Sequence, residues 1–493
     1  MIDFDTVFRV ENYRQEAALR AREWTRLRAL PGLRSLQIAS VIGVRVGRAW
    51  FKPKISRRHS ISVGVVEAFE KLGPTFVKLA QIISAGDGVF PDELVRECKR
   101  LRDQAATESW DSVCGTIERE LGGSLDRYFA SVEREPIAAA SIAQVHRGVL
   151  LDGTEVVIKV RRRGIHDRVE RDVRALTWLA HKMIGRIPVA SLANPPVLVE
   201  LFAECITEEL DFRLERENMR HVAATLTVGV SRVPEVFEDL VREGVMVMEF
   251  VEGEKLGEIA EGGELILKQL MSIMIEGATI HGVFHGDLHG GNMIVSKSGE
   301  IVLIDFGITA RLDERERVSF AKLLLSGMTG DWRGQIQGLV GLGALPADVD
   351  VDTLGRELKL DVDFDPTKLS PEDLAAELQN LSKALLGSGA KLPKSLMLWA
   401  KNIVFVDSAI GEIAPDTDLI GVLSEVAGEF VQRNGAVLGE ILGTTGRPDI
   451  DIDAIKRGIG VGHDTERITW REMRERREMI INRAGGASLF KNN

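Results

Sequence analysis

An α+β fold in two lobes, preceded by a helical extension, is what this 493-residue chain predicts. Three observations carry that reading. Short β-prone runs cluster between Ser131 and Val160 and again between Arg232 and Phe250. Helical periodicity fills the segments before, between and after them. Two acidic, glycine-rich motifs follow the second strand region, and a mostly helical remainder follows them. The length suits two or three packed units. The division expected is a helical extension over residues 1–125, a lobe of strands with inserted helices over 126–252, and a helical lobe over 253–493 holding both acidic motifs.

The elements can be taken in order. Residues 1–60 read as basic helix, with 13 Lys and Arg against 5 Asp and Glu in a chain of net charge −11. Basic, aliphatic and Trp residues mix from Arg20 to Phe51. That suits a helix lying on an anionic membrane surface, and equally one packed on the protein with a solvated basic face. Helical periodicity continues from 61 to 125, broken at Gly73-Pro74 and at Gly86-Asp87-Gly88. Ile142–Leu151 and Glu155–Val160 read as strands joined by Leu151-Asp152-Gly153-Thr154, an Asp-Gly hairpin. Helix returns over 165–230, broken at Asn194-Pro195-Pro196. Val233–Phe237 and Val245–Phe250 read as two further strands, residues 251–254 as a connector, and Leu265–His281 as a helix.

The chemistry lies in the two motifs. Residues 285–292 read His-Gly-Asp-Leu-His-Gly-Gly-Asn, and thirteen residues after Asn292 comes Asp305-Phe306-Gly307. Gly and Asp favour turns in any protein. Both motifs in this order, with the apolar run Ile301–Ile304 between them, match the carboxylate and amide arrangement of phosphoryl transfer in protein-kinase-like folds. In that arrangement Asp287 orients a water or hydroxyl, and Asn292 and Asp305 hold Mg²⁺ against nucleotide phosphates.

Lys159 ends the run Glu155-Val-Val-Ile-Lys, where a strand lysine can reach the α- and β-phosphates. Acidic partners for it are available in the charged helical stretch 208–218, and spacing does not choose among them. Where a kinase has a Gly-x-Gly-x-x-Gly loop, this chain has Ala138-Ala139-Ala140-Ser141, which approaches phosphates less easily than glycines do. His281, His285 and His289 stand four apart. The glycines around them argue against one helical face and a zinc site, and hydrogen bonds that orient the catalytic loop suit His285 and His289 better.

These motifs together resemble the UbiB (AarF) family of atypical protein-kinase-like proteins. The family's Lys-x-Gly-Gln motif corresponds to Lys78-Leu79-Ala80-Gln81, its Ala-rich loop to Ala138–Ser141, its nucleotide lysine to Lys159, and its Glu-x-Asp motif to Glu209-Leu210-Asp211. The helix glutamate that pairs with the lysine corresponds to Glu215, the catalytic Asp and Asn to Asp287 and Asn292, and the metal Asp to Asp305. The match runs from about residue 60 to 310, with a weaker echo at Lys391-Leu-Pro-Lys. Ala80 departs from the motif glycine, and the membrane span near the C-terminus of some bacterial members is missing. The resemblance implies a bilobal kinase-like fold whose extension, through Lys78 and Gln81, folds over the site, with Lys78 meeting Glu209 or Asp211 where a protein substrate would dock. It also implies ATP or ADP and Mg²⁺ as cofactors, nucleotide contacts at Ala138–Ser141, Lys159 and Glu249, ATP hydrolysis, and support of isoprenoid quinone biosynthesis.

Composition bounds the setting. Cys98, Cys114 and Cys205 show no paired spacing, which suits a reducing compartment. Neither a signal peptide nor an apolar run of eighteen residues is evident, so the expected place is the cytoplasm, peripheral at the inner face of the membrane. Nucleotide, an anionic membrane surface and a prenyl lipid are the expected partners, and nucleic acid is not. The rival readings are a small-molecule phosphotransferase, whose catalytic loops also read His-Gly-Asp, and a nucleotide-regulated lipid-binding scaffold with little catalysis.

Overall fold

The computed structural model of the chain describes residues 4–27, 32–50, 54–84, 92–98, 100–101, 107–183, 195–227, 230–259, 262–358, 360, 388, 393–443 and 448–486. Gly86-Asp87-Gly88, Asn194, Lys391 and Leu392 lie outside them. The chain forms two compact units. One comprises Met1–His221, Val233–Glu252 and Ile304–Ile308, the other Val222–Arg232, Gly253–Leu303 and Thr309–Asn493.

The first unit begins with six helices: α1 (Phe4–Trp24), α2 (Gly32–Trp50), α3 (Lys54–Leu72), α4 (Pro74–Ser84), α5 (Asp92–Cys98) and α6 (Trp110–Leu121). The Gly73-Pro74 break divides α3 from α4. Gly73 takes φ 99°, a region open to glycine, and Pro74 opens α4, where a missing N–H costs nothing. The sheet holds β1 (Phe129–Val132), β2 (Ala138–Ala139), β3 (Ala143–Leu150), β4 (Glu155–Arg161) and β6 (Val245–Glu249), in the order β1-β3-β4-β6 with β2 paired to β3. The β3–β4 hairpin turns at Gly153, φ 93°, and Thr154 N donates to Asp152 Oδ1 at 2.9 Å.

The expected strand over Val233–Phe237 is instead a single bridge, Val236 to Met248. Pro234 has no N–H to give a ladder. One face of the sheet packs Val156, Ile158, Val160, Val245 and Val247 against Val113 and Ile117 of α6. Among the described residues, three more helices follow or interrupt the strands: α7 (Ile165–Met183), α8 (Pro195–Glu209) and α9 (Phe212–Ala223). Trp24 of α1 packs among Val169 and Val173 of α7, Phe202 and Ile206 of α8 and Leu210 just after it. A polar latch adds to this. Buried Asp172 of α7 accepts from Arg34 Nε at 2.6 Å and from Thr75 Oγ1 at 2.7 Å, joining α2, α4 and α7.

In the second unit, β5 (Ser231–Arg232), β10 (Ile301–Leu303), β9 (Met293–Ser296) and β7 (Gly253–Lys255) form one small sheet in that order. β8 (Val283–His285) pairs antiparallel with β11 (Thr309–Arg311). The helix expected over Leu265–His281 is α10 (Gly263–Glu276) followed by a π turn over Gly277–His281, closed by Gly282 at φ 67°. Among the described residues, helices α11 (Glu314–Met328), α12 (Trp332–Gly341), α13 (Val351–Glu357), α14 (Lys394–Ile413), α15 (Leu419–Leu442), α16 (Ile452–Gly458) and α17 (Trp470–Gly486) follow. Phe284 of β8, Phe320 of α11 and Trp399 of α14 pack ring against ring, with the two rings 5.6 and 5.1 Å from Trp399 meeting it edge-on. Among the described residues, no helix is long and apolar enough to cross a membrane.

Candidate nucleotide site and catalytic loop

In the first unit the site is built on β4, α9 and the short segment Ile304–Ile308. Lys159 lies on β4 between Ile158 and Val160, whose side chains enter the core, so strand alternation turns Lys159 to the other face. Its Nζ donates to Glu215 Oε1 at 2.6 Å and stands 3.5 Å from Asp305 Oδ1. Glu215, one turn into α9, is almost fully buried. The same Oε1 accepts from Phe306 N at 3.2 Å, and Asn218, one turn on, donates Nδ2 to Phe306 O at 2.9 Å. Helix α9 thus grips both sides of the Phe306 peptide, and the Phe306 ring is wholly buried.

Asp305 adopts φ 64°, the one positive φ outside glycine among the described residues. Such a backbone costs an L-residue about 1–2 kcal/mol, least for Asp and Asn, and persists where surrounding contacts hold it. Burial works against the Lys159 ammonium, but Asp305 and Glu215 outweigh it and hold its pKa above the ordinary lysine value. Two carboxylates on one ammonium leave an excess negative charge. Burial, opposed by Lys159 and aided by Asp305, raises the Glu215 carboxyl.

The extension reaches this site. Lys78 of α4 is ion-paired with Glu209 at the end of α8. Glu209 Cγ lies 3.2 Å from where a Cβ on Gly307 would stand, so the pair packs directly on the segment that carries Asp305. Asp211 is engaged elsewhere, accepting from Arg213 Nε at 2.9 Å and Nη2 at 2.7 Å. Of the two acids open to Lys78, Glu209 holds it. Gln81 is half-buried on the next turn of α4.

In the second unit the candidate catalytic loop, residues 285–292, leaves β8. His285 Nδ1 accepts from Asp287 N at 3.0 Å, and His289 Nδ1 accepts from Gly291 N at 3.1 Å, so both histidines shape the loop. Asn292 Nδ2 donates to Asp287 O at 3.0 Å, which turns its Oδ1 to the other side. Two residues with no signal in the motifs complete the loop. Lys401 of α14 is ion-paired with Asp287 Oδ1. Asn402, fully buried, accepts from Leu288 N at 3.1 Å and donates to His285 O at 2.6 Å.

Residues 100–338 match the ABC1 atypical kinase-like domain. The chain is 34% identical over 381 residues to an uncharacterized protein of Mycobacterium tuberculosis, covering 71% of this chain and 74% of that one. It is 27% identical over 449 residues to a probable protein kinase UbiB of Aliivibrio fischeri, covering 84% and 80%. The chain belongs to the UbiB (AarF) family of atypical kinase-like proteins. Its fold is the bilobal α+β protein-kinase-like fold, and membership supports an ATP-binding, kinase-like character. A Mycobacterium tuberculosis protein solved with erythromycin is also similar, at TM-score 0.42 and 20% identity over 68% of this chain and 90% of that one.

The UbiB motif positions outside the ion pairs have their own places. Ala138 and Ala139 form β2, Ala140 N donates to Ala143 O at 2.9 Å, and Arg162 Nε holds Ala140 O at 2.9 Å. The Ala-rich loop is therefore tied to the strand it leads into, and Ser141 is buried beside it. Glu249 ends β6, where its Oε2 accepts from Glu235 N at 3.1 Å. Ala80, which replaces the UbiB motif glycine, is fully buried with Phe76, Ile83 and Phe69, so its methyl group is absorbed into the packing of α4.

In the first unit Asp305 offers a half-exposed carboxylate, the kind of donor that holds Mg²⁺ together with substrate phosphates. In the second unit Asn292 carries an amide oxygen on the 285–292 loop. Phe306, Asn218, Lys401 and Asn402 were not among the expected site residues. A Lys-Asn pair inside the apolar helical run Leu396–Val406 was the one signal that could have pointed to the last two.

Proposed function

We propose that this UbiB-family chain is a Mg²⁺-dependent, ATP-binding atypical kinase or ATPase. It acts at a membrane surface in support of isoprenoid quinone or other prenyl-lipid metabolism. One observation carries the nucleotide reading: a strained Asp305, held by the α9 grip on Phe306, faces the buried pair of Lys159 and Glu215.

Lys159 holds the α- and β-phosphates and Glu215 orients it. Ala138–Ser141 and Glu249 border the nucleotide, and Asp305 and Asn292 would hold the metal. When bound, Mg²⁺ neutralises phosphate charge. Asp287 orients the nucleophile. In hydrolysis the water oxygen bonds to the γ-phosphorus as the bond to the β–γ bridging oxygen breaks. The water proton passes to Asp287 and then to the released phosphate or solvent, leaving ADP and inorganic phosphate. The pairing of Lys78 with Glu209 beside Gly307 favours small acceptors or water over a docked protein substrate.

The membrane part rests on α2, whose outer stripe exposes Leu33, Leu36 and Val44 along with Arg48. The lipid pathway rests on the family resemblance.

Purified protein should hydrolyse ATP, with turnover falling about 100-fold or more in Asp305→Asn and in Lys159→Ala. Undiminished turnover in both variants would sink the assignment. With labelled ATP and candidate alcohols or prenyl lipids, phosphate recovered on the acceptor would mark a small-molecule phosphotransferase instead. Tight binding without turnover would mark the scaffold reading.

A further inference from the structure

Negative charge on the transferred phosphoryl group must be met by fixed cations, and such preorganised charge is among the largest contributions to rate. The loop from Asp287 to Asn292 contains no lysine or arginine. Helix α14 brings one there. Lys401 Nζ meets Asp287 Oδ1, an oxygen otherwise closed off from solvent. Among the described residues His289 also faces this oxygen, its Nε2 4.0 Å away on the loop itself.

The backbone of the loop does not depend on that ion pair. Asn402 clamps it from α14 through Leu288 N and His285 O, and Trp399 locks α14 against Phe284 of β8 at 5.6 Å. Lys401 is therefore carried on a packed helix at a fixed distance from Asp287. Its side chain is 22% exposed and that of Asp287 18%, so the ammonium is neither sealed in nor loosely solvated. An ammonium on a four-carbon stem has three donors and can bridge two acceptors.

We infer that Lys401 is a catalytic residue of the proposed ATP chemistry. With nucleotide bound, its ammonium binds a γ-phosphoryl oxygen beside Asp287 and offsets the repulsion that the carboxylate would otherwise exert on the phosphate. While the ammonium holds one carboxylate oxygen, the remaining oxygen is the one that orients the nucleophile's proton. The inference rests on the nucleotide reading above and adds a residue to it.

The test compares wild type, Lys401→Met and Lys401→Arg by calorimetric titration with Mg-ADP and with the Mg²⁺ complex of the β,γ-imido analogue of ATP, alongside ATP turnover and thermal melting. In Lys401→Met, turnover should fall about 100-fold and the preference for the analogue over ADP by about 10-fold, while ADP affinity stays within about threefold. Lys401→Arg should keep most of the preference. Should Lys401→Met not fold, Lys401→Gln, which retains a hydrogen bond to Asp287 without the charge, takes its place with the same expected losses.

Wild-type preference and turnover in the neutral variant would overturn the inference alone. So would an equal weakening of both nucleotides, which marks a structural ion pair. A wild type that binds neither nucleotide would overturn the ATP reading, and this inference with it.

Discussion

At the scale of single residues, the candidate site depends on a few positions where the backbone or its neighbours tolerate few side chains. Asp305 holds a positive φ that Asn could share and a branched residue could not. Gly277 is constrained differently. It starts the π turn before β8, and a Cβ there would stand 2.7 Å from the backbone oxygen of Val283. That oxygen lies two residues before His285, so it cannot move without moving the candidate catalytic loop. Gly277→Ala should cost about 1–3 kcal/mol and lower turnover more than nucleotide affinity. Urea unfolding read beside steady-state kinetics checks both. A variant as stable and active as wild type would show that the turn has slack.

At the scale of elements, β3 shows how a buried polar group sets the conditions of stability. His146 on β3 is almost wholly buried, with Nδ1 3.0 Å from Glu133 O and one ring nitrogen 3.3 Å from Gln144 Nε2. Burial lowers its pKa, partly opposed by the Glu133 carbonyl and by Glu135. The unfolded chain therefore takes up the proton first, at about the ordinary value of 6.5. The stability held by the neutral ring is present above that pH and is lost as pH falls below it. Melting temperature should drop between about pH 7 and pH 5, and His146→Gln should flatten that part of the profile. An unchanged slope in the variant would assign the drop to other groups.

At the scale of the whole molecule, charge and exposed apolar surface bear on where the protein works. Residues 1–60 carry a surplus of basic residues, but part of it is engaged inside. Arg34 is paired with Asp172, Arg20 with Glu243, and Arg45 Nε is closed off from solvent. What α2 offers outward is mainly apolar: Leu33, Leu36 and Val44, beside Arg48. Binding to anionic vesicles should therefore persist with weakened salt dependence, and Leu33→Glu with Leu36→Glu should abolish it more fully than Arg48→Glu does. Vesicle flotation at low and high salt measures this. If the arginine change alone abolishes binding and the leucine changes do not, attraction to charge rather than apolar insertion governs docking.

Much of the fold and site was legible because its signals are local. The β3–β4 hairpin follows from Asp152-Gly153, the α3–α4 break from Gly73-Pro74, and the family from motifs read in order along the chain. The strand expected at Val233–Phe237 failed at Pro234, where alternation outvoted the missing donor. The grip on Phe306 was hidden because neither Asn218 nor the Phe306 peptide is distinctive by residue type. Lys401 and Asn402 were hidden because they belong to an apolar helix far from the loop they hold.

The sequence by itself determined the kinase-like family and named Asp287, Asn292, Asp305 and Lys159 as the residues to examine, since short-range spacing encodes them. The family resemblance had already named Glu215 for Lys159; only the tertiary structure decided the partners of the others: Glu209 rather than Asp211 for Lys78, and Lys401 for Asp287. The physical reason is reach. Spacing along the chain says which side chains share a turn, but an ion pair forms between whichever charges packing brings within about 4 Å, and packing is settled by the whole core.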